Sequence, residues 1–200
     1  MIEIDSASVL HQFSGTAADS APIKLLGIRG YFLAEGVSGE NDFGIYDDLL
    51  CVAINGKVEA FRGSTDPGRY YLDNPLNDFG CAVLRLGLWN YRLGRHRDLY
   101  PAFIQSGEVT VDRVTPDGKA VKRESGYFGI NIHSGGPETH VGRYSAGCQI
   151  IWCPDGAWGD NWQAFYHPVA TAMKASGQVE VPYLLVDSFK AVSPSKMETV

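Results

Sequence analysis

The sequence predicts a mainly β domain with one or two helices, and three observations lead to that prediction. Short apolar runs separated by turn residues dominate the middle of the chain. Aromatic residues make up 12% of the chain, and such side chains pack well on a pleated sheet. Only residues 158–176 place apolar side chains at helical spacings of three and four. With 200 residues, 44% of them hydrophobic, the chain can form one domain with a normal core.

The N-terminal third contains one strong local signal. Residues 1–20 have few apolar anchors and are expected to form a loosely held lead-in to a single domain over 21–190. A helix near 23–35 is a weak prediction because two glycines interrupt it. Asn55-Gly56 separates the apolar runs 49–54 and 57–61, which predicts a hairpin with a tight two-residue turn.

The rest of the chain predicts further strands and one helix. The helix covers 158–176, with Asp160 as a candidate cap, Pro168 as a possible kink and Gly177 as the stop. Residues 191–200 are expected to be a flexible tail. The remaining strands are predicted at 81–86, 108–114, 127–133, 148–152 and 179–186.

Bulk properties exclude some functions. A net charge of −6 does not resemble a nucleic-acid-binding surface, although the cluster Arg85 to Arg97 is either a solvated loop or a patch for a carboxylate or phosphate. No apolar run is long enough for a membrane span. The first residues do not resemble a secretory signal, so synthesis in the cytoplasm is expected. The four cysteines lack zinc-ribbon spacing, and we expect no metal and no cofactor.

The most informative feature is a histidine followed fifteen residues later by a cysteine. His133 ends one apolar run, and Cys148 opens another after the small residues Ala146 and Gly147. If the two runs are neighbouring strands, the imidazole is a candidate general base for a thiol nucleophile. Small residues before the thiol allow backbone N–H groups to approach an oxyanion. The alternative interpretation is a core histidine beside an inert buried thiol.

His133-Ser134-Gly135, followed by Ser145-Ala146-Gly147-Cys148, resembles the signature of the YkuD-type L,D-transpeptidase catalytic domain. The resemblance implies a β-sandwich-like fold and a cysteine acyltransferase of bacterial peptidoglycan. It implies that Cys148 is the nucleophile and His133 the base, that Ser134 helps to orient His133, and that the amides of Gly147 and Cys148 form part of the oxyanion hole. Segments 41–48 and 129–133 look like a branch of phage, prophage and effector-like proteins.

The sequence departs from this family at the substrate side of the motif. The family usually has His or Ser before Gly-Cys, where this chain has Ala146, and Arg or Asn two residues after the cysteine, where it has Ile150. Arg143, Arg62 or the cluster at 92–97 are possible replacements. The candidate substrate-binding residues are Arg143, Tyr144, Asn131, His96 and Gln149.

The expected function is therefore a peptidoglycan stem-peptide acyltransferase or hydrolase: L,D-transpeptidation, L,D-carboxypeptidase action or D-amino-acid exchange. We expect it to act in the periplasm or cell wall after delivery by a secretion system such as type VI, as an antibacterial toxin, or by phage lysis. An immunity protein or a secretion-apparatus protein are then possible partners. The alternatives are a non-catalytic phage structural or wall-binding module and a cysteine amidase or endopeptidase.

Overall fold

The computed structural model describes residues 2–32 and 41–188. Its helices are α1 Ser6–His11, α2 Arg69–Asp73 and α3 Asp160–Ser176. Its strands are β1 Ile23–Arg29, β2 Asp48–Ile54, β3 Lys57–Ser64, β4 Cys81–Leu84, β5 Gly87–His96, β6 Tyr100–Gln105, β7 Val109–Val114, β8 Ala120–Gly126, β9 Ile132–Ser134, β10 Gln149–Ile151 and β11 Glu180–Asp187. The prediction of a mainly β domain is confirmed.

Eight of these strands form a main sheet that closes on itself. The order around it is β1-β11-β5-β6-β9-β10-β3-β2, and a separate sheet has the order β4-β7-β8. Most neighbours are antiparallel, but β1 pairs with β11 and β9 pairs with β10 in parallel. The resemblance implies a sandwich-like arrangement, whereas the described strands of the main sheet form a closed barrel.

The hairpin prediction is confirmed. β2 and β3 pair antiparallel with Ile54 opposite Lys57, and the turn residues Asn55 and Gly56 have φ of 50° and 81°. A type I′ turn needs positive φ at both central positions, which explains why this dipeptide fixes the register.

The helix prediction is confirmed in extent, with two local differences. Gly159 rather than Asp160 is the N-cap, and it makes no side-chain capping bond. The helix continues through Pro168 and ends at Gly177, whose φ of 73° is the left-handed conformation that suits glycine. Its buried face includes Trp162, Phe165 and Met173, which pack in the core of the main sheet.

Three other expectations differ from the structure. The helix suggested near 23–35 is wrong for its described part, since residues 23–29 form the fully paired strand β1. The segment 127–131 does not belong to a strand, and only Ile132–Ser134 pairs. Residues 2–20 carry α1, and Val9 and Phe13 are buried against the outer face of the sheet. The predicted tail at 191–200 lies outside the described residues.

The β5–β6 hairpin, which the sequence does not predict, is the element that shapes the candidate site. His96 pairs with Tyr100 across its tip, and Arg97 and Asp98 in the tip both have positive φ. β6 continues the sheet to β9 through Phe103 opposite Ile132. The tip therefore lies over the end of β9. Among the described residues, no helix is both long and apolar enough to cross a membrane.

Candidate active site

The two segments that carry the predicted pair are neighbouring strands. β9 and β10 pair in parallel, with His133 opposite Ile150. Cys148 immediately precedes β10, and its Sγ accepts a hydrogen bond from the backbone nitrogen of Asn131 at 3.5 Å. The predicted proximity of His133 and Cys148 is confirmed, because their donor atoms lie within 4.8 Å of each other.

His133 is oriented by a main-chain carbonyl. Its Nδ1 lies 2.8 Å from the carbonyl oxygen of Ser134, which accepts, so Nδ1 carries the proton and Nε2 is the basic nitrogen. Nε2 is buried and has no hydrogen-bond partner in the described part of the chain. The ring therefore carries a free lone pair, and one of its nitrogens lies within 4.8 Å of the thiol, which is what a general base requires.

Ser134 helps to orient His133, as the resemblance implies, but it does so through its carbonyl, and its hydroxyl has a separate task. Its Oγ accepts the backbone N–H of Trp158 at 2.8 Å and lies 3.3 Å from the Sγ of Cys153. Ser134 thus orients His133 through its carbonyl, while its side chain fixes the start of the segment that leads to α3.

The thiol of Cys148 rests against main-chain groups. Its Sγ donates to the carbonyl of Gly129 at 3.4 Å, and the side chain is 8% exposed. No hydrogen bond joins Sγ to His133 in the described structure, so the thiol must turn from Gly129 towards Nε2 before the proton can pass. Catalytic hydrogen bonds are often long in the absence of substrate.

The predicted pair is neutral at rest. Burial, with the charge of His96 as a further cause, lowers the pKa of His133 to about 3. Burial raises the pKa of Cys148 to about 11. The imidazole therefore does not hold the pKa of the thiol below its ordinary value in the resting structure. An attack by this thiol on a substrate would therefore require proton transfer at the same time, because a thiolate–imidazolium pair is not formed beforehand.

One of the two proposed oxyanion donors is already engaged. The N–H of Gly147 donates to Ser145 Oγ at 3.0 Å, and the same hydroxyl donates to the carbonyl of Cys148 at 2.7 Å. By contrast, the N–H of Cys148 has no acceptor among residues 2–32 and 41–188. Gly147 shapes the turn with φ of 128°, and the amide of Cys148 is the one left for an oxyanion.

His96 reaches the site from the β5–β6 tip. Its ring centroid lies 4.3 Å from that of His133, and Asn131 Nδ2 lies 3.0 Å from its Nδ1. Asn131 Oδ1 accepts the N–H of Gln105, so Nδ2 is the donor and Nδ1 of His96 the acceptor. The proton of His96 is therefore on Nε2. Burial lowers the pKa of His96 to about 4, which keeps the ring neutral.

These groups form the floor of a pocket of about 590 Å³. Its walls come from the β5–β6 tip, from β4 and β7, and from segments 71–77, 128–131 and 143–146. Arg97, Arg113 and Arg143 line it, and none of its lining residues is an aspartate or glutamate. In a chain with a net charge of −6, this is a concentrated positive surface, which favours an anionic ligand.

The three arginines are not equivalent. Arg113 forms an ion pair with Glu124 at 2.7 Å. Arg143 lies over the ring of Tyr70 at 3.9 Å, and no carboxylate within the described ranges pairs with it or with Arg97. Arg97 and Arg143 are therefore free to bind a ligand carboxylate.

The remaining predicted residues divide between the pocket and the core. Tyr144 lines the pocket, and Asn131 lines it while holding His96. Gln149 does not reach it: the side chain is fully buried, its Nε2 donates to the carbonyls of Thr65 and Gly147, and Tyr183 donates to its Oε1. The prediction that Gln149 binds substrate is not supported by this placement.

Arg62 and His140 lie elsewhere. Both line a smaller pocket of about 240 Å³ with Tyr46 and Trp152, and Arg62 Nε donates to the carbonyl of Tyr46. Of the proposed replacements for the missing arginine, only Arg143 and the cluster at 92–97 therefore reach the thiol pocket.

Sequence reasoning missed Tyr100 and Arg97 as individual site residues. Tyr100 packs edge-on against His133, with ring centroids 5.8 Å apart, and against Trp158 at 5.2 Å. The signal that could have found both is the pair of strand-like runs around the short tip Arg97-Asp98-Leu99, which lacks the Asn-Gly dipeptide of a typical hairpin.

Comparisons of the chain with known protein families, with curated proteins and with solved structures gave no match.

Proposed function

We propose that the chain is a cysteine acyl-enzyme that acts on peptidoglycan stem peptides, as an L,D-transpeptidase or L,D-carboxypeptidase. The proposal includes a likeness of fold to the YkuD-type catalytic domain. The observation that supports it best is the proximity of Cys148 to a buried, carbonyl-oriented His133, with ligand atoms within 4.8 Å of each other, in a cationic pocket.

The chemistry would proceed as follows. As Cys148 Sγ bonds to the substrate carbonyl carbon, the thiol proton passes to His133 Nε2, and the Cys148 N–H stabilises the oxyanion. The scissile C–N bond then breaks, and His133 returns the proton to the leaving amine. Water or an acceptor amine attacks the thioester and gives its proton to His133, which protonates Sγ as the product leaves.

The charge of the pocket supports the substrate class. A stem tetrapeptide carries free carboxylates, including that of its terminal D-residue. Arg97 and Arg143 line the pocket without ion-pair partners in the described structure, and an arginine can bind a carboxylate through two parallel hydrogen bonds. They would replace the family arginine, whose position is taken by Ile150, a fully buried residue of β10.

A second candidate function is a non-catalytic wall-binding or phage structural module. The observation in its favour is the resting state of Cys148, which is 8% exposed and has a pKa raised to about 11. The same pocket would then bind a stem-peptide carboxylate without acyl transfer. A cysteine amidase or endopeptidase would use the same pair on a different bond.

The place of action is part of the proposal. A stem-peptide enzyme must meet its substrate in the periplasm or cell wall, so the chain would be made in the cytoplasm and delivered by a secretion system such as type VI or by phage lysis. As an antibacterial toxin it would require an immunity protein in the producing cell, and delivery would require a secretion-apparatus partner.

The test is product analysis. The purified chain is incubated with disaccharide-tetrapeptide and with cross-linked muropeptides, and products are identified by mass spectrometry. Loss of the terminal D-Ala, a new dimer or D-amino-acid exchange is expected, and Cys148→Ala abolishes it. Cys51→Ala is the matched control, because this buried thiol packs in the cluster on the outer face of the sheet and does not line the thiol pocket. Unchanged muropeptides from a folded chain would refute the enzyme, and binding of the unchanged tetrapeptide would then support the module.

A further inference from the structure

We propose that His96, His133 and Cys148 form a binding site for one borderline-soft divalent cation, Zn²⁺. The bound ion coordinates the Cys148 thiolate and prevents it from acting as a nucleophile. Binding of Zn²⁺ does not depend on the proposed acyl transfer. Only the inhibition of catalysis rests on that proposed function.

The donor set is the first observation. The three side chains come from the β5–β6 tip, from β9 and from the residue before β10, and one ligand atom of each lies within 4.8 Å of the other two. Zn²⁺ binds imidazole nitrogen at about 2.0–2.1 Å and thiolate sulfur at about 2.3 Å in tetrahedral sites. Donor atoms in such a site are roughly 3.3–3.7 Å apart, so the set has to contract by little more than about 1 Å.

The unpartnered nitrogen of His133 is the second, independent observation. Nε2 is buried and has no hydrogen-bond partner among the described residues, and His133 as a whole is only 1% exposed. Its Nδ1 donates to the Ser134 carbonyl at 2.8 Å. Metal-binding histidines usually donate their second ring N–H to a carbonyl or carboxylate. His133 is therefore already held in the tautomer and orientation of a metal ligand.

The pocket supplies the rest of the coordination sphere. All three side chains line the cavity of about 590 Å³. Its arginines Arg97 and Arg143 favour an anion, so a small anion held between them and the metal can take the fourth position. Three protein ligands with one open position are the arrangement of reactive zinc sites. None of the pocket's lining residues is a carboxylate, which disfavours the hard cations Mg²⁺ and Ca²⁺.

His96 is the weak member of the set. Asn131 donates to its Nδ1, and the amide cannot turn without losing the bond from Gln105 N–H to Asn131 Oδ1. Binding through Nε2 requires the proton to move to Nδ1, where it would face the N–H of the amide. An aspartate at 131 would accept from both Gln105 and His96, as in carboxylate–histidine–zinc triads. Asn131→Asp should therefore tighten binding by about tenfold or more.

The protons balance simply. Cys148 Sγ loses its proton to solvent when the S–Zn bond forms, and no oxidation or reduction takes place. Zn²⁺ should accordingly bind more tightly as pH rises and release about one proton for each ion bound.

The test uses Co²⁺ as a spectroscopic probe of the full-length chain at neutral pH. We expect one Co²⁺ per chain, with the intense visible bands of a tetrahedral centre and a thiolate-to-cobalt charge-transfer band. Zn²⁺ should displace the Co²⁺ and abolish both sets of bands. Cys148→Ser should abolish the charge-transfer band, and His96→Ala should weaken binding by at least about tenfold. His140→Ala and Cys51→Ala, which change a histidine and a cysteine outside the pocket, should leave the spectrum unchanged.

A charge-transfer band that persists in folded Cys148→Ser, or the absence of the band from the parent chain, would overturn the proposal. No substrate is present in these titrations, so their failure is distinct from a failure of the muropeptide assay.

Discussion

Ser134→Ala tests whether the main-chain carbonyl or the hydroxyl of Ser134 orients the His133 ring. If the carbonyl of Ser134 holds His133, as its 2.8 Å contact with Nδ1 indicates, the alanine variant keeps that bond. What it loses is the hydroxyl, which accepts the N–H of Trp158 at 2.8 Å and donates to the carbonyl of Gly135 at 3.2 Å. The hydroxyl is therefore a stability contact between β9 and the segment before α3.

The magnitude follows from those contacts. Ser134 is 3% exposed, and removing the acceptor leaves the Trp158 N–H without its partner, which costs about 1–3 kcal/mol. For a chain of this size each kcal/mol lowers Tm by roughly 2–4 °C. Turnover of the tetrapeptide by the folded variant should stay within about threefold of the parent, since no group that handles the proton is removed.

The assay compares thermal unfolding with steady-state turnover for Ser134→Ala and Ser145→Ala. Ser145 is the matched control, because its hydroxyl bonds directly to Gly147 N–H and to the Cys148 carbonyl, so its loss should lower both Tm and turnover. A fall in turnover of about 10²-fold in folded Ser134→Ala, the size expected when a general base is lost, would refute carbonyl orientation.

Three further predictions concern charge and backbone shape. Burial raises the pKa of Asp47 from 3.8 to about 6, so its contribution to stability is complete below about pH 4 and lost as pH rises through about 6. Oδ2 of Asp47 accepts the N–H of Asp42, and Oδ1 is unpartnered in the described structure. The free energy of unfolding of Asp47→Asn should therefore exceed that of the parent by about 2–3 kcal/mol at about pH 8 and equal it at about pH 4. A difference in denaturant melts that does not change with pH would contradict this. Gly147→Ala should lower the free energy of unfolding by at least about 2 kcal/mol, because φ is 128° and the new Cβ would lie 2.5 Å from the Ala82 carbonyl oxygen. An unchanged Tm would be inconsistent with that strain. Arg143→Gln should raise KM about tenfold for peptides with a free terminal carboxylate, and an equal rise for the amidated peptide would argue against the contact.

Local signals in the sequence predicted the parts of the fold that local chemistry determines. Asn55-Gly56 fixed a hairpin because both residues accept positive φ. Gly177 ended α3 for the same reason. The juxtaposition of His133 and Cys148 was predictable because each lies at the end of an apolar run, and the two runs form neighbouring strands.

The parts of the candidate site that the sequence did not predict depend on contacts between segments distant in the chain. His96 and Tyr100 reach the site through a hairpin whose tip residues, Arg97 and Asp98, adopt positive φ without a glycine. The neutral resting state of Cys148 comes from burial, which no local pattern reveals. Gln149 follows the cysteine directly, yet the alternation of β10 turns its side chain into the core.

The most direct test of the central claim is intact-protein mass spectrometry of the chain during turnover of disaccharide-tetrapeptide. Acyl transfer through Cys148 should give a transient adduct equal to the muropeptide minus its terminal D-residue, located on Cys148 by peptide mapping and absent from Cys148→Ala. His133→Ala should form it far more slowly. Product formation without an adduct in the parent chain, or an adduct that survives in Cys148→Ala, would contradict acyl transfer through this thiol.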